Sequence, residues 1–131
     1  MTRASASALA AAGILLGSAS AASSLPHLSS ATSHRRHVVV TFALGDLVPG
    51  QIVVASSPKT EPNGAFVKAN VRLHEQLAAK KIATGYRART AHRLPKGRYW
   101  VEVSGVVIGL DCTPHKPCKT DWSNARRVRV R

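Results

Sequence analysis

Short apolar and β-branched segments, separated by Gly, Pro or Asn residues, run through residues 37–131 of this chain. Val38–Leu44 and Gln51–Ala55 are two such runs, and apolar and polar residues alternate within Arg98–Val103. A period of two residues predicts β-strands, and turn residues at such short intervals predict antiparallel neighbours. About seven strands of this kind predict an all-β chain that folds as a single antiparallel β-sandwich.

The first 21 residues have the layout of a secretory signal peptide. Arg3 supplies a positive start, Ala4–Leu16 is a mostly apolar run, and Ala19-Ser20-Ala21 offers a cleavage site between small residues. We expect residues 1–21 to be removed and the mature protein to be secreted and extracellular. The alternatives are an organelle transit peptide and an uncleaved anchor, but the apolar run is shorter than the roughly 20 residues of a membrane span.

The remaining chain divides into two predicted parts. Residues 22–36 are rich in Ser, His and Arg and show no apolar period, so they predict a flexible lead-in. Residues 37–131 form the predicted sandwich domain. Within it, Phe66–His74 alternates as a strand does, and His74–Lys81 favours either a helical turn or a charged crossover.

The charge of the chain is strongly positive, with 19 Lys and Arg residues against 6 Asp and Glu residues. Only Arg3 leaves with the signal peptide. Such a charge predicts an anionic partner outside the cell: a polymer, a lipid surface or a cell-surface component. The alternative is that the charge serves solubility alone. Aromatic residues make up 5% of the chain and RNA-binding motifs are absent, so no specific nucleic-acid readout is expected.

Basic side chains fall on the outward faces of three predicted strands. The candidates for polyanion binding are Lys68, Arg72, Arg87, Arg89, Trp100, Arg127, Arg129 and Arg131. If two of these strands are neighbours, the side chains form one basic stripe whose guanidinium groups bind phosphate or sulfate in a bidentate manner. Trp100 would add a stacking surface for a base or a sugar. The alternative is that Trp100 packs under a loop and the charges are merely solvated.

Cys112 and Cys118 are the two cysteines of the chain. In an exported protein they predict a disulfide that closes a short, Pro-containing loop. The alternative is a zinc site, because His115 lies midway between them and Asp111 precedes them. We expect the disulfide, with no metal and no cofactor.

The stretch Leu94–Tyr99, followed by Val101 and Val103, resembles the entry to the penultimate strand of immunoglobulin-like and fibronectin type III-like sandwiches. The resemblance implies that Tyr99 is a structural corner residue whose hydroxyl bonds back to the backbone, with Gly97 in the turn before it. Val101 stands where antibody domains have a cysteine. This likeness concerns the fold and implies no function.

The loop between Cys112 and Cys118 more distantly resembles the short disulfide loop of the enediyne-carrier family. This chain departs from that family because the second cysteine pair of those proteins is missing. Its charge is also opposite to that of the acidic carriers.

No motif for catalysis is present. The six acidic residues include no close pair, and no nucleophile elbow, zinc-protease motif or phosphate loop occurs. We therefore predict a non-catalytic binding or structural module, with no membrane span in the mature chain, that contacts an anionic polymer or surface. The alternatives are a protein–protein module or inhibitor that uses the Cys112–Cys118 loop, and a small extracellular enzyme or metal-binding protein.

Overall fold

The computed structural model of the protein describes residues 25–113 and 115–131, so the predicted signal peptide lies outside the described residues. A short 3-10 turn, Lys68–Asn70, precedes the fourth strand. No helix in the described part of the chain is long and apolar enough to cross a membrane. The strands are β1 (His27–His34), β2 (His37–Ala43), β3 (Val48–Ala55), β4 (Val71–Gln76), β5 (Lys80–Ile82), β6 (Gly85–Arg89), β7 (Gly97–Val107), β8 (Lys119–Trp122) and β9 (Arg126–Val130).

The strands form two antiparallel sheets, which confirms the predicted all-β sandwich. The first sheet has the order β1-β2-β6-β5 and the second has the order β4-β3-β7-β8. Strand β9 pairs with the first half of β7, and β8 pairs with its second half, so both lie along one edge of the same long strand. The second sheet therefore contains five strands, and β7 is at its centre.

The main core lies between the sheets, and alternate residues of several strands point into it. Val38, Val40 and Phe42 of β2 point inward from the first sheet, and Val54 and Val101 meet them from the second. Each of these side chains is at most 2% exposed. Burying a side chain of this size contributes roughly 1.5–3 kcal/mol, so the period of two is enforced by the core.

The predicted flexible lead-in is wrong for residues 27–34, because they form strand β1. Strand β1 pairs with β2 through a two-residue turn in which Arg35 and Arg36 have φ angles of 51° and 70°. This backbone is that of a type I′ hairpin turn, which Asn-Gly or Gly-Gly usually signals. Two arginines carry no such signal, so the hairpin was not recognisable from the turn residues.

Strand β1 is also anchored to the second sheet. Leu28 is fully buried, and its backbone N–H donates to Asn124 Oδ1 at 2.8 Å. The Leu28 carbonyl accepts from Asn124 Nδ2 and from Arg126 Nε. These bonds join the edges of the two sheets, so the folded domain begins at β1 rather than at residue 37.

The middle of the chain differs from the prediction in two places. The strand predicted over Phe66–His74 begins only at Val71, after the 3-10 turn. Of the two alternatives predicted for His74–Lys81, a helical turn or a charged crossover, the helical turn is wrong, because β4 continues to Gln76 and β5 begins at Lys80. Pairing of β4 with β3 supplies hydrogen bonds and packing that outweigh a local helix preference.

A satellite core lies on the outer face of the second sheet, beneath residues 56–67. Val53 and Ala55 point outward from β3, yet they are only 5% and 0% exposed because Phe66 packs on them. Phe66 itself is 4% exposed. Trp100 and Trp122 pack against the rim of this cluster.

Tyr99 and Gly97 lie close together where β7 begins. The Tyr99 hydroxyl donates a hydrogen bond to the Pro95 carbonyl at 2.7 Å, which is a bond of the kind that the resemblance implies. Gly97 begins β7 with a φ angle of 157°, and a Cβ there would meet the Tyr99 side chain at 3.5 Å. The Gly97 turn therefore packs closely against the Tyr99 ring at the start of β7.

Candidate functional site

Three arginines and a tryptophan share one surface of the second sheet. Register between β7 and β9 places Arg98 opposite Arg129 and Trp100 opposite Arg127. Val128 and Val130 point into the core and are 5% and 2% exposed, which fixes Arg127 and Arg129 on the outward side. We call Arg98, Trp100, Arg127 and Arg129 the β7–β9 patch.

No arginine of the β7–β9 patch forms an ion pair with another of the described residues. Within residues 25–113 and 115–131, the ion pairs are His92–Glu75 and Lys119–Asp121, and neither includes an arginine. Arg98 and Arg129 stand directly opposite each other, and like charges in such a position destabilise a sheet. An anion between them would relieve that repulsion.

Trp100 combines both interpretations that the sequence left open. It packs against the satellite core and is partly buried, as the loop-covered alternative requires. Its ring also contacts an arginine of the patch, because the Arg127 guanidinium carbon lies 5.8 Å from the ring centroid. This distance is that of a cation–π pair, which holds the guanidinium over the sheet.

Two further basic side chains extend the patch at the start of β7. Lys96 and Arg131 line the same surface depression as Arg98 and Arg129. Arg131 was a sequence candidate, whereas Lys96 and Arg98 were not. Arg98 alternates with Trp100 on the same strand face, so the signal for it was present in the sequence.

A second basic cluster lies on the outer face of the other sheet. Arg87 and Arg89 point outward from β6, and Lys80 of β5 stands opposite Arg87. These three side chains, which we call the β5–β6 patch, line a shallow depression with Thr32 and His34 of β1. Lys80 was not a sequence candidate, because Lys80–Ile82 was not expected to be a strand.

The eight candidates do not form one stripe. In the second sheet β3 and β7 separate β4 from β9, and β6 belongs to the other sheet. Lys68 lies in the 3-10 turn, and Arg72 donates to the carbonyls of Ala69 and Val71. Alternation predicts which residues share a strand face, but it carries no information about strand neighbours.

The cysteine loop contains the predicted disulfide between Cys112 and Cys118. The thiolates that the alternative zinc site needed are therefore not available. No group of three or more His, Cys, Asp or Glu residues poised to hold a metal occurs in the part of the chain that the structure describes. Apolar residues precede the loop, and Val107, Ile108 and Leu110 are 38%, 43% and 104% exposed.

Glu102 is a buried acid that the sequence pattern did not single out. It points outward from β7, as alternation predicts, but residues 56–67 cover it and leave it 1% exposed. Its Oε2 accepts from the Phe66 N–H at 2.8 Å. Burial raises the pKa of Glu102 to about 7, and the Phe66 hydrogen bond opposes that rise.

The pKa of Glu75 is lowered, whereas that of Glu102 is raised. The Glu75 carboxylate accepts from the backbone N–H groups of Ala91 and His92 and from the His92 ring. Desolvation by burial works to raise the pKa of Glu75, but these hydrogen bonds and the nearby imidazole outweigh it and lower the pKa. The pair fastens the loop after β6 to the edge strand β4.

No family model matches this chain, and no similar protein is found among curated proteins or solved structures.

Proposed function

We propose that this protein is a secreted, non-catalytic module that binds an anionic polymer or surface through the β7–β9 patch. The observation that carries the proposal is the cross-strand set of Arg98, Arg127 and Arg129, which no carboxylate neutralises among the described residues. Guanidinium groups on a rigid sheet present several donors at fixed spacing, which suits phosphate or sulfate groups along a chain. Trp100 adds an aromatic surface beside them.

The disulfide supports the extracellular part of the proposal. A disulfide between Cys112 and Cys118 persists in an oxidising compartment.

We propose further that the sandwich is immunoglobulin-like. In strand order, β1-β2-β6-β5 corresponds to the A-B-E-D sheet, and β3, β7 and β8 with β9 correspond to C-F-G. The Tyr99 hydroxyl bond at the start of β7 supports the same assignment.

The test is a binding panel of heparin, teichoic acid, DNA and anionic vesicles at low salt. One variant carries Arg98→Gln, Arg127→Gln and Arg129→Gln. The matched control carries Lys80→Gln, Arg87→Gln and Arg89→Gln, which removes the same three charges from the opposite face. We expect the affinity of the first variant to fall about tenfold or more. The control should lose less than half as much binding free energy as the first variant. Equal losses would assign binding to net charge, and absence of binding by the wild type would overturn the proposal.

A second candidate function is a protein contact at the cysteine loop. The exposed side chains of Val107, Ile108 and Leu110 favour it, because apolar groups beside a rigid loop suit a protein surface. This hypothesis predicts salt-tolerant binding that is lost on reduction and in a Leu110→Ser variant. A partner captured from the culture medium and retained equally by Leu110→Ser would contradict it.

A further inference from the structure

A small pocket opens between the outer face of the second sheet and the segment that covers it. Its volume is about 150 Å³. Its walls are mainly apolar and come from β3, β4, β8 and the covering segment. They consist of Val53, Ala65, Phe66, Val71 and Trp122, with Lys68, His74 and Glu102 as the ionisable side chains. Glu102 and His74 flank Val53 across the sheet, because Val53 pairs with both.

Glu102 lines this pocket, and one of its carboxylate oxygens has no hydrogen-bond partner among the described residues. Oε2 is bonded to the Phe66 N–H, whereas Oε1 is buried and makes no hydrogen bond within the described chain. Leaving a buried polar atom unpaired is costly, and the cost is larger for a charged carboxylate. Lys68 lines the pocket but makes no ion pair with Glu102.

The lining of the pocket indicates what would pair with Oε1. A primary ammonium group donates a charge-assisted hydrogen bond, which is roughly twice as strong as a neutral one. The faces of Phe66 and Trp122 attract a cation as well as an apolar body. A volume near 150 Å³ accommodates a molecule about the size of benzene.

We propose that the Glu102 pocket is a binding site for a small primary amine, held by its ammonium group on Glu102 Oε1 and by its apolar body against Phe66 and Trp122. None of the three arginines of the β7–β9 patch lines this pocket, and its ligand has the opposite charge. The amine site can therefore be tested separately from polyanion binding.

Ionisation of Glu102 controls this site, since only the carboxylate attracts an ammonium. The other ionisable groups that face the pocket are Lys68 of the 3-10 turn and His74 of β4. The strands β3 and β8 and the covering segment contribute apolar and aromatic groups to it. Because the pKa of Glu102 is about 7, amine binding should weaken about tenfold between pH 8 and pH 6.

The experiment is an NMR titration of the protein with butylammonium, and butanol serves as the neutral isostere. The Phe66 amide and the Trp122 indole N–H report binding. We expect saturable shifts of both signals with butylammonium and at least tenfold weaker binding of butanol. Glu102→Gln should weaken butylammonium binding at least tenfold, whereas Glu61→Gln, which removes an exposed acid from the same covering segment, should leave it unchanged.

The pH series keeps the proposal testable if Glu102→Gln fails to fold. A charged imidazole at His74 would also repel a cation, so the series is repeated with His74→Gln, and the tenfold step should remain. Equal binding of butanol and butylammonium would overturn the proposal, as would unchanged binding in a folded Glu102→Gln variant. Absence of saturable shifts at millimolar amine, or loss of the pH step in His74→Gln, would overturn it as well.

Discussion

The two outer faces of the sandwich follow the same alternating pattern but have different surroundings. On the first sheet the outward positions remain at the surface, where Thr41 bonds to the hydroxyls of β1 and Arg87 and Arg89 are exposed. On the second sheet residues 56–67 cover part of the face and bury Val53 and Glu102. An outward strand position is thus exposed only where no other segment packs on it. The covered face carries both the Trp100 contact and the Glu102 pocket.

Removal of the Phe66 ring should produce the largest difference in unfolding free energy between variants of the two faces. Phe66→Ala should lower the free energy of unfolding by about 3 kcal/mol or more, because it empties the centre of the satellite core. Val39→Ala on the outer face of the first sheet should cost less than about 1 kcal/mol. Urea unfolding measures both, and equal costs would show that the covered face is no better packed than the open one.

A pH-dependent stability should follow from the buried acid of the covered face. The pKa of Glu102 is raised from 4.5 to about 7, so between these values the folded state holds a proton that the unfolded state releases. Stability should therefore fall as the pH rises through this window, by on the order of 2–3 kcal/mol, and level off above it. Urea unfolding at pH 5 and pH 8 measures the fall.

Variants assign that fall to one residue. Glu102→Gln should remove it and Glu61→Gln should keep it. Glu75 acts at lower pH and with the opposite sign: its pKa is lowered, so its contribution is lost as the pH falls below 4.5. A pH slope that survives in Glu102→Gln would contradict the assignment.

Apolar runs and period-two patterns were sufficient to predict the all-β class, the antiparallel sheets and the inward residues of β7 and β9. The tyrosine bond to the Pro95 carbonyl followed from a local motif and needed no distant contact. Such features are encoded within one strand and its turn. Strand β1 was missed because Arg35-Arg36 forms a hairpin turn without glycine or asparagine, and because Leu28 is its single fully buried residue.

The candidate site was less predictable than the fold, because it depends on contacts between distant segments. Arg87 and Arg127 would have shared a surface only if their strands were neighbours, and the order of the strands places them on opposite sheets. The burial of Glu102 depends on Phe66, which lies 36 residues away in the chain. Alternation describes one strand at a time and contains neither kind of information.

The smallest expected effect concerns repulsion within the β7–β9 patch. Arg98→Gln should raise the stability by a few tenths of a kcal/mol at low salt, because it removes a like charge directly opposite Arg129. Arg89→Gln is the control, since Arg89 stands opposite Val39 and should have no comparable effect. Thermal unfolding at two salt concentrations detects the difference. A destabilised Arg98→Gln would show that the arginine packs rather than repels.

The central claim is that anions bind specifically at the β7–β9 patch and are not held merely by the net positive charge of the protein. The most direct test is the slope of log affinity against log salt for double-stranded DNA. Each phosphate contact contributes about 0.9 to this slope, so the variant lacking Arg98, Arg127 and Arg129 should lose about 2–3 from its magnitude. The matched variant on the β5–β6 patch should lose less than about 1. Equal losses in the two variants would contradict the account.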